Sequence, residues 1–286
     1  RESNRALFFF FFMYQCFNGS KITSIDLSNT IIKSGFQELF YNCKSLETVN
    51  LSGATLTGTM QSMFSACEKL TSIDFTGATI KPTNLYGTFN NCLKLTTIDT
   101  STWDLSDCTT LQRCFVGCKG LTSIMGIEDW NVEKVTIMDG TFQACSKLEL
   151  LDLSSWDVSQ CTTMANMFNG CGASVINLAN WNTDNVTSMQ LMFNGCSSLE
   201  ELDISSFTTT NLNHIAYMLE RCTSLKTLDI SNFNLDKFSP VQMFYSTLNI
   251  ENIGLLYVSS HTVNLISQQI TKDNANLQVA PVTIYY

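Results

Sequence analysis

Residues 192–207 read MFNGCSSLEELDISSF, and their spacing decides the fold. Leu199, Leu202 and Ile204 follow L-x-x-L-x-L, the pattern of a short strand with alternate side chains buried. Upstream, Met192, Phe193 and Cys196 form an apolar knob, and downstream Phe207 closes the unit. The template recurs ten times at steps of 24 to 27 residues. In register, the strand centres are Ile25, Val49, Ile73, Ile98, Ile124, Leu151, Ile176, Leu202, Leu228 and Ile253.

None of these strands is long enough to bury its apolar side alone, so neighbouring units must stack. Period and pattern together predict an α/β repeat solenoid of the leucine-rich-repeat kind, with about ten repeats. Its strands form a parallel concave sheet, and short helical turns cover the convex side. Ten strands about 4.8 Å apart would make a continuous wall roughly 43 Å long. The solenoid is expected over residues 1–256, with 1–20 as an N-terminal half-repeat or cap. The apolar run 7–13, LFFFFFM, is similar to a signal-peptide core, but it lacks a small-residue cleavage site and leads straight into Cys16. The chain begins without Met, as a processed or truncated product would. After Tyr257 the pattern stops. Val263, Ile266 and Ile270 point to a helix behind Ser260, and 277–286 to a short edge strand containing Pro281, so 257–286 is expected to be a C-terminal cap.

Two further rows follow from the register. Three residues beyond each strand stands Trp103, Trp130, Trp156, Trp181, Phe207 or Phe233, where the first three repeats place Thr30, Ala54 and Ala78. A buried aromatic ladder explains these better than a sugar-binding platform. The segment before each strand, such as 186–196, places Val186, Met189, Met192, Phe193 and Cys196 at the spacing of a short amphipathic helix, with Asn185 or Thr187 as its cap.

Twelve cysteines suggest disulfides, but their positions argue for packing. Nine (Cys16, Cys43, Cys67, Cys92, Cys118, Cys145, Cys171, Cys196, Cys222) fall at one place in successive repeats. Cys108, Cys114 and Cys161 replace apolar residues of other repeats, so a reduced, stacked thiol row is expected. The C-x5-C-x3-C spacing of Cys108, Cys114 and Cys118 matches no common zinc motif, and neither His214 nor His261 lies in a metal-binding pattern. No phosphate loop or nucleophile elbow occurs, so no catalytic residue, metal or cofactor is expected and the chain is read as a non-enzyme. No segment reaches the ~20 apolar residues of a membrane span. A net charge of −9, with no basic stripe evident, argues against a nucleic-acid partner.

Strand residues between the buried ones must face outward on the concave side. One such position reads Asp26, Asn50, Asp74, Asp99, Met125, Asp152, Asn177, Asp203, Asp229 and Gly254. Two residues on, Ser28, Ser52, Thr76, Ser101, Ser154, Ser205 and Ser231 form a hydroxyl row. Stacked carboxylates repel, so this ladder is expected to be hydrogen-bonded by the hydroxyls or, alternatively, to hold a cation such as calcium. Three rungs depart from the polar rule. Met125 replaces the ladder Asp, and Leu150 and Val175 stand where others have Ser or Thr. With Asp152, Asn177, Glu201 and Asp203 around them, these three have the anatomy of a partner-binding hot spot. The alternative is that Met125 folds back over the gap at Gly126 and that a one-residue deletion after Cys171 misregisters Val175.

The unit MFNGCSSLEELDISSF, with NWNTDNVTSMQLMF before it and ERCTSLKTLDISNF after it, resembles the BspA-like leucine-rich repeats of bacterial and protist surface proteins. The resemblance covers residues 13–256 and is clearest in repeats four to nine. It implies a right-handed leucine-rich-repeat horseshoe used for adhesion or protein binding at the cell surface or after secretion, with a host or neighbouring-cell surface protein as partner and no catalytic residues. Similar repeats occur in phage structural proteins, so a virion fibre or decoration protein is the alternative.

Overall fold

The computed structural model describes residues 13–230 continuously and, outside them, Phe9–Phe10, 232–234, 238, 243, Asn252–Gly254 and Gln278–Val279. It is a parallel-sheet solenoid of the leucine-rich-repeat type. Ten three-residue strands run from Ser24–Asp26 through Thr48–Asn50, Ser72–Asp74, Thr97–Asp99, Ser123–Met125, Leu150–Asp152, Val175–Asn177, Glu201–Asp203 and Thr227–Asp229 to Asn252–Gly254. Each is centred on the apolar residue that the period picks out. The ladder is not continuous: it runs in groups of three, two, two and four strands, the last of which includes Gln278–Val279 beside Asn252–Gly254. One break has a local cause. Gly126 takes a φ of 76° and leads into a 3-10 turn, Ile127–Asp129, which carries the chain away before the next strand. The rest of the expected cap at 257–286, with His261, lies outside the described residues, as does most of the apolar run 7–13.

Within residues 13–230 no convex α-helix forms, and tandem β-turns take the place of the expected helices. In the third rung Met63 N–H bonds Met60 C=O at 3.1 Å and Cys67 N–H bonds Phe64 C=O at 3.1 Å. The third residue of each turn, Ser62 and Ala66, has positive φ, which an α-helix forbids and a type II turn requires. The same two positions recur in nine rungs, ending with Leu191/Gly195 and Tyr217/Arg221. Between these bonds, Ser62, Phe64 and Ala66 donate to Tyr86, Thr88 and Asn90 of the next rung at 2.7–2.9 Å. Every second amide thus joins a ladder along the solenoid. Val186, Met189, Met192, Phe193 and Cys196 are all buried as the pattern requires, because the corners of two consecutive four-residue turns repeat the inward spacing of a helix. Neither Asn185 nor Thr187 caps a helix; their side chains bond Ser159 O and Thr162 O one rung back.

Two aromatic ladders fill the interior. Phe17, Phe40, Phe64, Phe89, Phe115, Phe142, Phe168 and Phe193 stack with centroids 5.3–5.9 Å apart along the whole body. Trp103, Trp130, Trp156, Trp181 and Phe207 form the second, at 5.9–6.3 Å, and all are buried. In the first three repeats a second parallel sheet, Phe9–Phe10, Ile31–Ile32, Thr55–Thr59 and Thr79–Asn84, occupies this side. Its register Ile32–Leu56–Ile80 continues into Trp103, so these residues, and not the buried Thr30, Ala54 and Ala78, lie beneath the tryptophans in the backbone ladder.

Candidate partner-binding face

The strand face is built from outward residues whose local geometry is set by the turn that follows. Asp26, Asp74, Asp99, Asp152 and Asp203 each accept, through Oδ1, the N–H of the residue two on, at 2.9–3.1 Å. Asn50 and Asn177 do the same for Ser52 and Ala179. The hydroxyls of Ser101 and Ser154 add bonds of 2.7 Å to the same oxygens. Those hydroxyls, with the backbone N–H groups beside them, hold the Asp99 and Asp152 carboxyls below the usual carboxylate range, and the Thr76 N–H does so for Asp74. Asn177 also donates to Asp152 across the rung at 3.0 Å. The ladder therefore relieves its repulsion by hydrogen bonding within each turn. Among the described residues no group of three or more His, Cys, Asp or Glu side chains is arranged to hold a metal ion.

Met125, Leu150 and Val175 all point outward, with 51%, 58% and 51% of their surface exposed. Met125 does not fold back over Gly126. An added Cβ at Gly126 would lie 2.4 Å from Ser101 Cα, so backbone already fills that gap. Nor is Val175 out of register: Leu150, Leu151 and Asp152 pair with Val175, Ile176 and Asn177. Leu150 and Val175 are thus adjacent on paired strands. Met125 belongs to the strand pair on the other side of the break, at the level of Asp99. Asp152, Glu201 and Asp203 are exposed and Asn177 is half-buried.

The cysteines are all free, and every one but Cys16 is buried. Cys16 stands one residue before Phe17 of the aromatic ladder, whereas Cys43 and its counterparts stand three after theirs, so it is not a member of the row. Their row has a reason the sequence did not show. The thiols of Cys67, Cys92, Cys118, Cys145, Cys196 and Cys222 donate to the carbonyl of the ladder phenylalanine one rung earlier, at 3.0–3.2 Å. Burial pushes Cys108 and Cys171 up to about 11 and Cys118, Cys161 and Cys222 up to about 12, which removes their nucleophilicity at neutral pH. His214 is exposed on the turn side. An open polar groove of about 320 Å³, lined among others by Gln61, Tyr86, Gln112 and Ile137, marks where the second sheet gives way to the tryptophan rungs.

Among the described residues no helix is long and apolar enough to cross a membrane. Among curated proteins no sequence matches the chain. Similar solved structures include a TLR13–ssRNA13 complex (15% identity, TM-score 0.44, 93% of this chain and 36% of that one). A leucine-rich-repeat protein of Leptospira interrogans is 12% identical (TM-score 0.34, 92% of this chain and 72% of that one). A leucine-rich cell surface protein of Faecalibacterium prausnitzii is 17% identical (TM-score 0.34, 90% and 85%). The chain therefore spans 36% of the length of the first of these. A family model described as "Mycoplasma protein of unknown function, DUF285" matches residues 83–177 and 152–257, more than half of the chain, which thus belongs to that family.

Proposed function

We propose that this chain is a non-enzymatic recognition module of a surface or secreted protein, binding a protein partner through the outward, concave face of its strands. The observation that carries the reading is the exposure of Met125, Leu150 and Val175 on a face that is otherwise hydroxyl, amide and carboxylate. Three large apolar side chains gain nothing from water, and a partner that covers them gains their burial. Asp152, Asn177, Glu201 and Asp203 supply the polar rim that such hot spots have. The repeats are of the BspA-like kind on this reading, by their M-F-x-x-C-x-x-L-x-x-L core.

The test uses beads coated with the chain, intact cells and protease-shaved cells. Beads carrying the wild-type chain should adhere to intact cells and lose adhesion on protease-shaved cells. Leu150→Glu should weaken binding by about 1 kcal/mol or more with an unchanged melting temperature, as removal of a hot-spot residue does. Gln190→Glu, on the turn side, should change neither. Normal adhesion by Leu150→Glu, or its unfolding, would remove the assignment.

A further inference from the structure

In seven rungs a turn joins the cysteine to the first strand leucine. In rungs two to six it is closed by Leu46, Leu70, Leu95, Leu121 and Leu148 N–H bonding Cys43, Cys67, Cys92, Cys118 and Cys145 C=O at 3.0–3.3 Å. One of the two central residues is a lysine in all five: Lys44, Lys69, Lys94, Lys119 and Lys147, every one exposed. Residues 25 to 28 apart in the sequence are thus brought to the same turn of successive rungs. Lys44 and Lys119 take its first central position and Lys69, Lys94 and Lys147 its second, and together they make a file two positions wide. Only Lys44 has an ion-pair partner among the described residues, Glu68 at 2.8 Å.

The turn itself does not require lysine. Leu199 and Leu225 close the same turn on Cys196 and Cys222 with Ser197, Ser198, Thr223 and Ser224 at its centre. Five ammonium groups carried on turns about one strand spacing apart repel one another, a cost that the fold does not explain. We propose that this file is a binding track for a linear polyanion, specifically an acidic polysaccharide with sulfate or carboxylate groups about every 5 Å, close to the rung spacing.

Three features select that ligand. The file is two residues wide, and Glu47 and Glu149 stand beside it with the Asp ladder beyond. A flat anionic membrane laid on the lysines would also meet those carboxylates, whereas a thread follows the lysines and meets only Glu68 within the turns. The residues sharing the turns are Ser45, Glu68, Leu93, Gly120 and Ser146, with no aromatic ring on which a nucleic-acid base could stack. The ends of the file lie about 19 Å apart, four rung spacings, which a short oligosaccharide spans.

The test is retention on immobilised heparin and titration with a heparin oligosaccharide across a salt series. The wild-type chain, despite its net charge of −9, should bind at low salt. Lys69→Gln/Lys94→Gln/Lys119→Gln should lose at least about tenfold in affinity and flatten the salt dependence by about three released counterions. Lys81→Gln/Lys134→Gln/Lys226→Gln, which removes the same charge from lysines paired elsewhere, should lose less than about twofold. If the first triple variant fails to fold by circular dichroism, Lys94→Gln alone is read in the same series and should flatten it by about one counterion. No wild-type binding at low salt, an equal loss in both triples, or displacement of heparin by oligo-dT at equal charge would each overturn the proposal. Leu150→Glu should bind heparin normally, which separates this track from the strand face.

Discussion

The first three rungs and the later ones close the same interior by different means. In the first, a second sheet carries buried Ile32, Leu56 and Ile80, and backbone bonds hold that wall together. In the later rungs the wall shrinks to isolated bridges such as Thr110 to Ile137 and Ile137 to Thr163, and stacked indoles take over. Each stacked aromatic pair contributes about 0.5–1.5 kcal/mol beyond area burial, so side chains supply there what a hydrogen-bonded ladder supplies elsewhere. The two solutions meet at Trp103. By its turn Trp103 corresponds to Ala78, since each donates its N–H to the residue three back. By the ladder it follows Ile80. The handover costs a hydrogen bond. Trp130, Trp156 and Trp181 donate their indole N–H to Thr100 Oγ1, Ile127 O and Leu153 O at 2.8–3.0 Å, whereas the buried Nε1 of Trp103 has no acceptor.

The largest effect should come from emptying the aromatic wall. Trp156→Ala is expected to lower stability by about 3–5 kcal/mol and Leu56→Ala by about 2–5, because the indole leaves the larger cavity. Denaturant unfolding followed by circular dichroism ranks the two. If Leu56→Ala proves the costlier, the aromatic ladder is not the stronger of the two devices.

Next comes the junction of repeats five and six. Gly126→Ala combines positive φ with backbone overlap at Ser101 and should cost roughly 1–3 kcal/mol or more. Gly77→Ala shares the positive φ but meets nothing within 4 Å, so it should cost less. Equal melting temperatures would show that the close approach at Ser101 is relaxed in solution.

Smaller still is the difference between two isomorphous changes. Trp156→Phe removes a bonded N–H and leaves Ile127 O with only the longer bond from the Trp130 N–H, at 3.3 Å, whereas Trp103→Phe removes an N–H that has no partner. The first should therefore cost about 1 kcal/mol more than the second.

The thiol row runs through both regions and should not distinguish them. Native protein should expose about one fast-reacting thiol, Cys16, to a disulfide reagent at neutral pH, and denatured unreduced protein all twelve. A denatured count near zero would mean disulfides and an oxidising compartment. Because folding raises these pKa values above the ordinary 9, the contribution of the protonated thiols is complete below pH 9 and is lost as pH climbs through 11 to 12. Alkaline melting curves should fall across that window.

Much of the repeat was legible because strand periodicity leaves a mark on every second residue. Leu202 and Ile204 bury and Glu201 and Asp203 face water for steric reasons that need no neighbour. The tandem turns were misread as helix because Met189, Met192, Phe193 and Cys196 satisfy both geometries. A signal was present: Gly87, Gly140 and Asn166 share one positive-φ position, and Asn91, Gly117 and Gly195 the other. Bulky Leu191 and Tyr217 in the same places hid it. The lysine file was missed because its members never come close in the linear chain.

From the sequence alone came the period, the strand centres and the burial of eleven of the twelve cysteines, since each depends on side-chain alternation within one repeat. The outward positions of Met125 and Val175, which the sequence left open, needed the structure. What only the tertiary structure decided were the features that depend on how one rung sits on the next. These are the breaks in the ladder, the two-residue slip from Ala78 to Ile80 beneath Trp103, the thiol-to-carbonyl bonds and the alignment of the lysines. Such features rest on hydrogen bonds and contacts between residues some 25 positions apart, and a local pattern carries no record of their register.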